Sequence, residues 1–244
     1  MNEIKKRITH IFFSIAVLVA AMSFIVPHNN KLTIQFENYV GDKLLKLDSA
    51  TYNNQLGQSY IISKFKYYIG NIHLIKKDGS EYSSSDYFLI NEEEPASKQI
   101  TLSNIPDGEY SSMSFILGVD SIHNCSGAQS GALDPMNAMF WAWNTGYIFL
   151  KLEGQSQVSQ SPGKLLEFHI GGYKEPNNCI RKINLNINLN TSKNSSLKIK
   201  TDVAEIFKTP VAIDFSKISS VTDFHNATTI ADNYLDMFSV INDK

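Results

Sequence analysis

Cysteine, tryptophan and histidine are all scarce in this 244-residue chain, with two, two and six copies. None of the histidines sits in an H-E-x-x-H or a Cys/His finger pattern. No local metal signature exists, and any metal site has to be assembled across separate strands. A block of basic residues is also missing, and the aromatics are not interleaved with Lys or Arg, so the electrostatic footprint of a nucleic-acid binder is absent. The chain has no G-x-S-x-G elbow, and no pair of carboxylates stands out for acid/base work. The expectation is therefore a non-catalytic protein without a nucleic-acid partner.

The first 27 residues supply what the remainder lacks, a long apolar run. Lys5, Lys6 and Arg7 precede a stretch from Ile8 to Val26 broken only by Thr9, His10, Ser14 and Ser23. This is an export signal. A run of that length also spans a bilayer at about 1.5 Å per residue, so a retained N-terminal anchor is the alternative, and the membrane enters only there. Residues 28–244 form one exported domain, periplasmic or on the cell surface. Export places Cys125 and Cys179 where disulfides persist, and a single bridge between them is expected.

Strands announce themselves by alternation. In "RKINLNINLN", Ile183, Leu185, Ile187 and Leu189 alternate with four asparagines, so one face is buried and the other is wet. Similar runs recur along the body, and "NIPDGEY" is a turn that should join two of them as neighbours. Short, regularly spaced strands of this kind predict an all-β, antiparallel β-sandwich. The tail differs. Ile230, Tyr234, Met237 and Phe238 have helical spacing, with Thr228 or Thr229 as N-cap, and predict a short C-terminal helix packed on the sandwich.

Few side chains are left to carry chemistry. In "KLLEFHIGG", alternation places Leu166, Phe168 and Ile170 toward the core, and Glu167 and His169 away from it. Gly171 and Gly172 then suit a bulge or a close backbone approach, a setting for a re-aimed side chain. His123 follows "GVDS" in a loop, where a metal ligand and a solvated histidine are both open readings. His73 lies mid-strand and reads as structural, and His225 is a loop residue without a companion. Asp120 and Asp134 cap, bind a cation or, as the default reading, simply solvate a turn. Both tryptophans fall in one W-x-W, Trp141 and Trp143, which serves either as core or as a binding platform.

The ordered string "LGVDSIHNCSGAQSGALDPMNAMFWAWNTGYIFLKLEG", followed by "EFHIGG" and "IADNYLDMF", resembles the MbnP-like family of exported copper-binding proteins. That family is named for the methanobactin-associated periplasmic protein. The resemblance implies an extracytoplasmic β-sandwich that binds copper through histidines and a tryptophan oxidised to kynurenine by a dihaem MauG-like partner oxidase. Carried over, it makes His169, His123, Trp141 and Trp143 the metal-site residues. Asp120, Asp134, Met136, Met139 and His73 are secondary candidates, the two methionines because thioether sulfur suits Cu(I). The competing expectation is a metal-free sandwich that holds a glycan, peptide or partner protein on the aromatic strip.

Overall fold

The computed structural model describes residues 30–141, 146–192 and 196–241. The N-terminal apolar segment and Trp143 lie outside the described residues. Among the described residues, no helix is long and apolar enough to cross a membrane.

Strands dominate: β1 (Asn30–Val40), β2 (Lys43–Leu44), β3 (Tyr52–Asn53), β4 (Ser59–Lys76), β5 (Glu81–Asn91), β6 (Gln99–Ile105) and β7 (Glu109–Leu117) precede the short helix α1 (Ser121–Cys125). After it come β8 (Phe140–Trp141), β9 (Gly146–Gln155), β10 (Leu165–Gly171), β11 (Arg181–Asn190), β12 (Ser196–Asp202) and β13 (Ser220–Val221). Helix α2 (Ala227–Asn233) and strand β14 (Phe238–Ile241) close the chain. Among the described residues they form two sheets. The smaller runs β14-β12-β1-β2, with β6 also on β1. The larger runs β11-β7-β4-β9-β10-β13, with β3 and β5 on β4 and β8 on β9.

The expected sandwich is present, and β11 carries its apolar alternation inward as read. Two features differ from the antiparallel expectation. β12 runs parallel to β1 from Thr33↔Ser196 to Tyr39↔Asp202, and β13 runs parallel to β10. The "NIPDGEY" turn does not join paired neighbours: β6 pairs with β1 in one sheet, whereas β7 pairs with β4 and β11 in the other. A turn reverses the chain without fixing the sheet it enters, and here Thr191 Oγ1, accepting from the Gly108 N–H at 3.0 Å, holds it against the end of β11. The C-terminal helix is present with Ile230 buried, but its cap is Asn226, at φ 62°, and the buried Tyr234 lies just past its end. Met237 falls in a following 3-10 turn, and Phe238 opens β14 on β12.

Aromatic rings join the two sheets. Phe36 and Phe238 come from the smaller sheet, and Tyr67 and Phe115 from the larger. They meet edge-on, with centroids 6.2 Å apart for Phe36–Phe115, 5.1 Å for Phe115–Phe238 and 5.9 Å for Tyr67–Phe238. Each such pair contributes about 0.5–1.5 kcal/mol beyond the area it buries. A buried polar chain crosses the same gap. Tyr67 Oη donates to Asn38 Oδ1 at 3.1 Å and accepts from Thr201 Oγ1 at 2.9 Å, Asn38 Nδ2 donates to Glu92 at 2.8 Å, and Lys98 pairs with Glu92 at 2.9 Å. Buried groups of this kind are tolerable only when each finds a partner, and here they do.

Candidate metal site

The site forms where the segment between β7 and β9 folds back over the larger sheet. Asp120 caps α1 by accepting the His123 N–H at 2.9 Å. Asp134 caps the next 3-10 turn by accepting the Met136 N–H at 2.9 Å, with Pro135 pre-set for the first position. Side chains from the sheet then fasten this cover through its backbone carbonyls. Tyr68 of β4 donates to Ala132 O at 3.0 Å, and Tyr147 of β9 donates to Leu133 O at 2.7 Å. Lys151 Nζ, buried, donates to Ala138 O. Burial pulls the Lys151 ammonium below its usual range, with Lys64 and Lys66 pushing the same way against Glu153.

Beside the cover runs a charged row on the non-core face. Cross-strand register places Lys64 opposite Glu153, Lys66 opposite Lys151, Glu167 opposite Glu153 and His169 opposite Lys151. Two of those direct pairs have like charge, so the favourable contacts run differently. Lys64 Nζ meets Glu153 at 2.9 Å, Lys66 meets Glu93 at 3.5 Å, and His169 Nε2 reaches diagonally to Glu153 Oε1 at 3.0 Å. As read from the alternation, His169 points away from the core formed by Leu166, Phe168 and Ile170. Burial and the neighbouring Lys151 lower its pKa, and Glu153 opposes them only in part, so the ring is neutral at neutral pH. Burial raises the Glu153 pKa, but the bonds from Lys64 and His169 outweigh it and the carboxyl is lowered.

The next residue on the His169 side of β10 is Gly171, and Trp141 occupies the space above it. A Cβ on Gly171 would stand 2.7 Å from the indole and 2.4 Å from Tyr147 O, so only glycine admits the ring here. The register with β9 shifts here, with Phe149 of β9 as the extra residue, while both glycines stand in close backbone approach, Gly171 to Tyr147 O and Gly172 to Asn177 O. Trp141 is 5% exposed and meets Phe224 edge-on at 6.3 Å. The glycine under the indole is thus two residues past His169 on the same strand.

His123 belongs to a different assembly. Its Nδ1 lies 2.9 Å from Asp120 Oδ1, Tyr87 Oη donates to Asp120 Oδ2 at 2.9 Å, and the Tyr87 and His123 rings are 4.7 Å apart. Burial raises the Asp120 pKa, yet these bonds prevail and it is lowered. Tyr87 reaches Asp120 because it lies across Gly70, where a Cβ would come within 2.4 Å of its ring. β4 and β9 separate Tyr87 on β5 from His169 on β10. The two histidines therefore answer to different carboxylates. Among the described residues, no three His, Cys, Asp or Glu converge where they would hold a metal ion.

The other candidates are dispersed. Met136 is 88% exposed beside its capping Asp134, whereas Met139 is fully buried in the core. His73 pairs through Nδ1 with Glu81 at the surface, as a structural histidine would. His225 is exposed, next to Phe224. The expected disulfide is not formed: Cys125 and Cys179 are both free thiols, the first exposed and the second buried. Cys125 Sγ–H turns to Tyr173 Oη at 3.5 Å and Cys179 Sγ–H to Asn177 O at 3.6 Å, so each sulfur has a different partner.

Tyr87, Glu153, Lys151 and Lys64 escaped the sequence reading. Lys151 and Glu153 do share a parity in "GYIFLKLEG", which puts them on one face. The register that sets Glu153 diagonally from His169 has no such local signal.

A family model described as MbnP matches residues 29–226 of the chain. Among solved structures, MbnP from Methylosinus trichosporium is similar in fold, with a TM-score of 0.52, 13% identity, and coverage of 79% of this chain and 83% of that one. No curated protein matches the chain.

Proposed function

Since the chain belongs to the MbnP family, we propose that it is an exported, non-catalytic copper-binding protein of metal acquisition or handling, with His169 as its principal ligand. The observation that carries this reading is the half-buried His169, bonded through Nε2 to Glu153 at 3.0 Å and two positions before the glycine against which Trp141 packs. A neutral imidazole with one ring nitrogen bonded to a carboxylate is the form in which histidine ligates metals. An imidazole nitrogen suits copper better than a hard ion, which takes oxygen ligands. Among the described residues a His/Cys/Asp/Glu triad does not form. The further donor implied by the family resemblance is of another type, the ketone or amine of a kynurenine produced at Trp141 or Trp143 by a dihaem partner oxidase. His123, prepared by Asp120 and Tyr87, is the secondary ligand candidate.

The test is made on protein exported by its native host. Copper content is measured on the intact chain, and the peptide carrying the W-x-W is weighed. Copper together with a peptide that has gained one oxygen and lost one carbon is the expected result. Metal-free protein with two intact indoles contradicts it, and points instead to an interaction module. The burial of Trp141 weighs against that module, which needs an exposed aromatic platform.

A further inference from the structure

The charged row contains a constraint that copper binding alone does not demand. Glu153 stands between two donors on two neighbouring strands, Lys64 Nζ on β4 at 2.9 Å and His169 Nε2 on β10 at 3.0 Å. A carboxylate paired with an ammonium accepts hydrogen bonds and has none to donate. The hydrogen between Glu153 and His169 therefore belongs to Nε2. A neutral imidazole carries one N–H, so Nδ1 keeps a bare lone pair.

We propose that Glu153, itself held by Lys64, is the positioning residue that fixes His169 in its Nε2–H form and leaves Nδ1 as its only metal donor. The second half of this inference rests on the copper reading of His169; the first half does not. The geometry is well suited to the task. Lys64 is the direct cross-strand partner of Glu153 and His169 its diagonal one, so three strands of one sheet hold the relay in register. A carboxylate behind a ligating histidine fixes the ring orientation and raises its basicity.

His123 supplies an internal contrast. Its Nδ1 faces Asp120 Oδ1, so by the same argument its hydrogen is on Nδ1 and its bare nitrogen is Nε2. The two imidazoles present opposite nitrogens, and one spectrum reads both.

The experiment uses the full chain exported by its native host with 15N-labelled histidine, first metal-free and then with one equivalent of cuprous ion, which is diamagnetic. Long-range proton–nitrogen correlation assigns the hydrogen on each ring. The expected result is Nε2–H on His169 and Nδ1–H on His123, with copper shifting Nδ1 of His169 and leaving its Nε2–H in place. A metal-free His169 protonated on Nδ1, or copper shifting its Nε2, overturns the proposal and leaves copper binding intact. A correct tautomer with no copper-induced shift at either nitrogen of His169 overturns the copper reading of that residue and, with it, the donor half of the proposal. Glu153→Gln should weaken cuprous affinity about 10- to 100-fold. Lys64→Met should shift it the same way by less, and serves if the first variant does not fold. Unchanged affinity in a folded Glu153→Gln protein overturns the positioning role.

Discussion

His169 is defined by its neighbours, and its titration reports them. Burial and Lys151 lower its pKa, with Glu153 opposing. The unfolded chain, with an ordinary histidine near 6.5, takes up the proton first as pH falls. The stability contributed by the neutral ring is thus fully present above about pH 6.5 and is lost as pH drops through the lowered folded-state value. Thermal unfolding followed from about pH 8 to about pH 5 should show a steeper decline for the native chain than for His169→Gln. Equal slopes contradict the assignment. The cysteines give a second prediction at this scale. Burial pushes the Cys179 thiol up to about 12, whereas Cys125 is exposed. A maleimide should modify Cys125 and spare Cys179 in the folded protein, and label both after unfolding without reductant. Failure to label either in the unfolded chain would show that the two are bonded after all.

At the scale of elements, two glycines explain how distant motifs come to act together. Gly171 leaves room for Trp141 and Gly70 leaves room for Tyr87, so "FHIGG" and "YYIGNI" are each complementary to an aromatic elsewhere in the chain. Gly171→Ala sets a Cβ against both the indole and a backbone oxygen. It should cost about 1–3 kcal/mol in urea unfolding, with a shift in tryptophan emission as Trp141 is displaced. An unaltered midpoint and spectrum contradict the contact. Much of this level was legible. The alternation in "KLLEFHIGG" places His169 outward, and the paired glycines mark a close backbone approach. The pairing of His169 with Glu153 was not legible, because alternation assigns a face but not a register. The same limit explains the "NIPDGEY" turn, whose local chemistry specifies reversal and is silent on which sheet receives the strand.

At the scale of the molecule, the sandwich was readable from strand spacing and polarity, but its parallel β1–β12 pair was not. That pair joins residues more than 150 positions apart, and only the packing of both sheets selects it. The joint between the sheets combines rings with one buried polar chain. Tyr67→Phe keeps the ring and removes the hydroxyl that bonds Asn38 and Thr201, so those groups lose a partner in a dry interior. The expected loss is about 1–3 kcal/mol in denaturant unfolding. No loss would mean that the chain of bonds is not structural. The larger sheet holds His169 of β10 and Glu153 of β9 in one register, which fixes the relation of the imidazole to its carboxylate.

Copper binding through His169 is the proposal on which the others depend. It is tested most directly by copper analysis of native-exported protein beside a His169→Ala chain whose unfolding midpoint shows that it is folded. Copper in the first and its loss in the second are expected. Equal copper in both would contradict it.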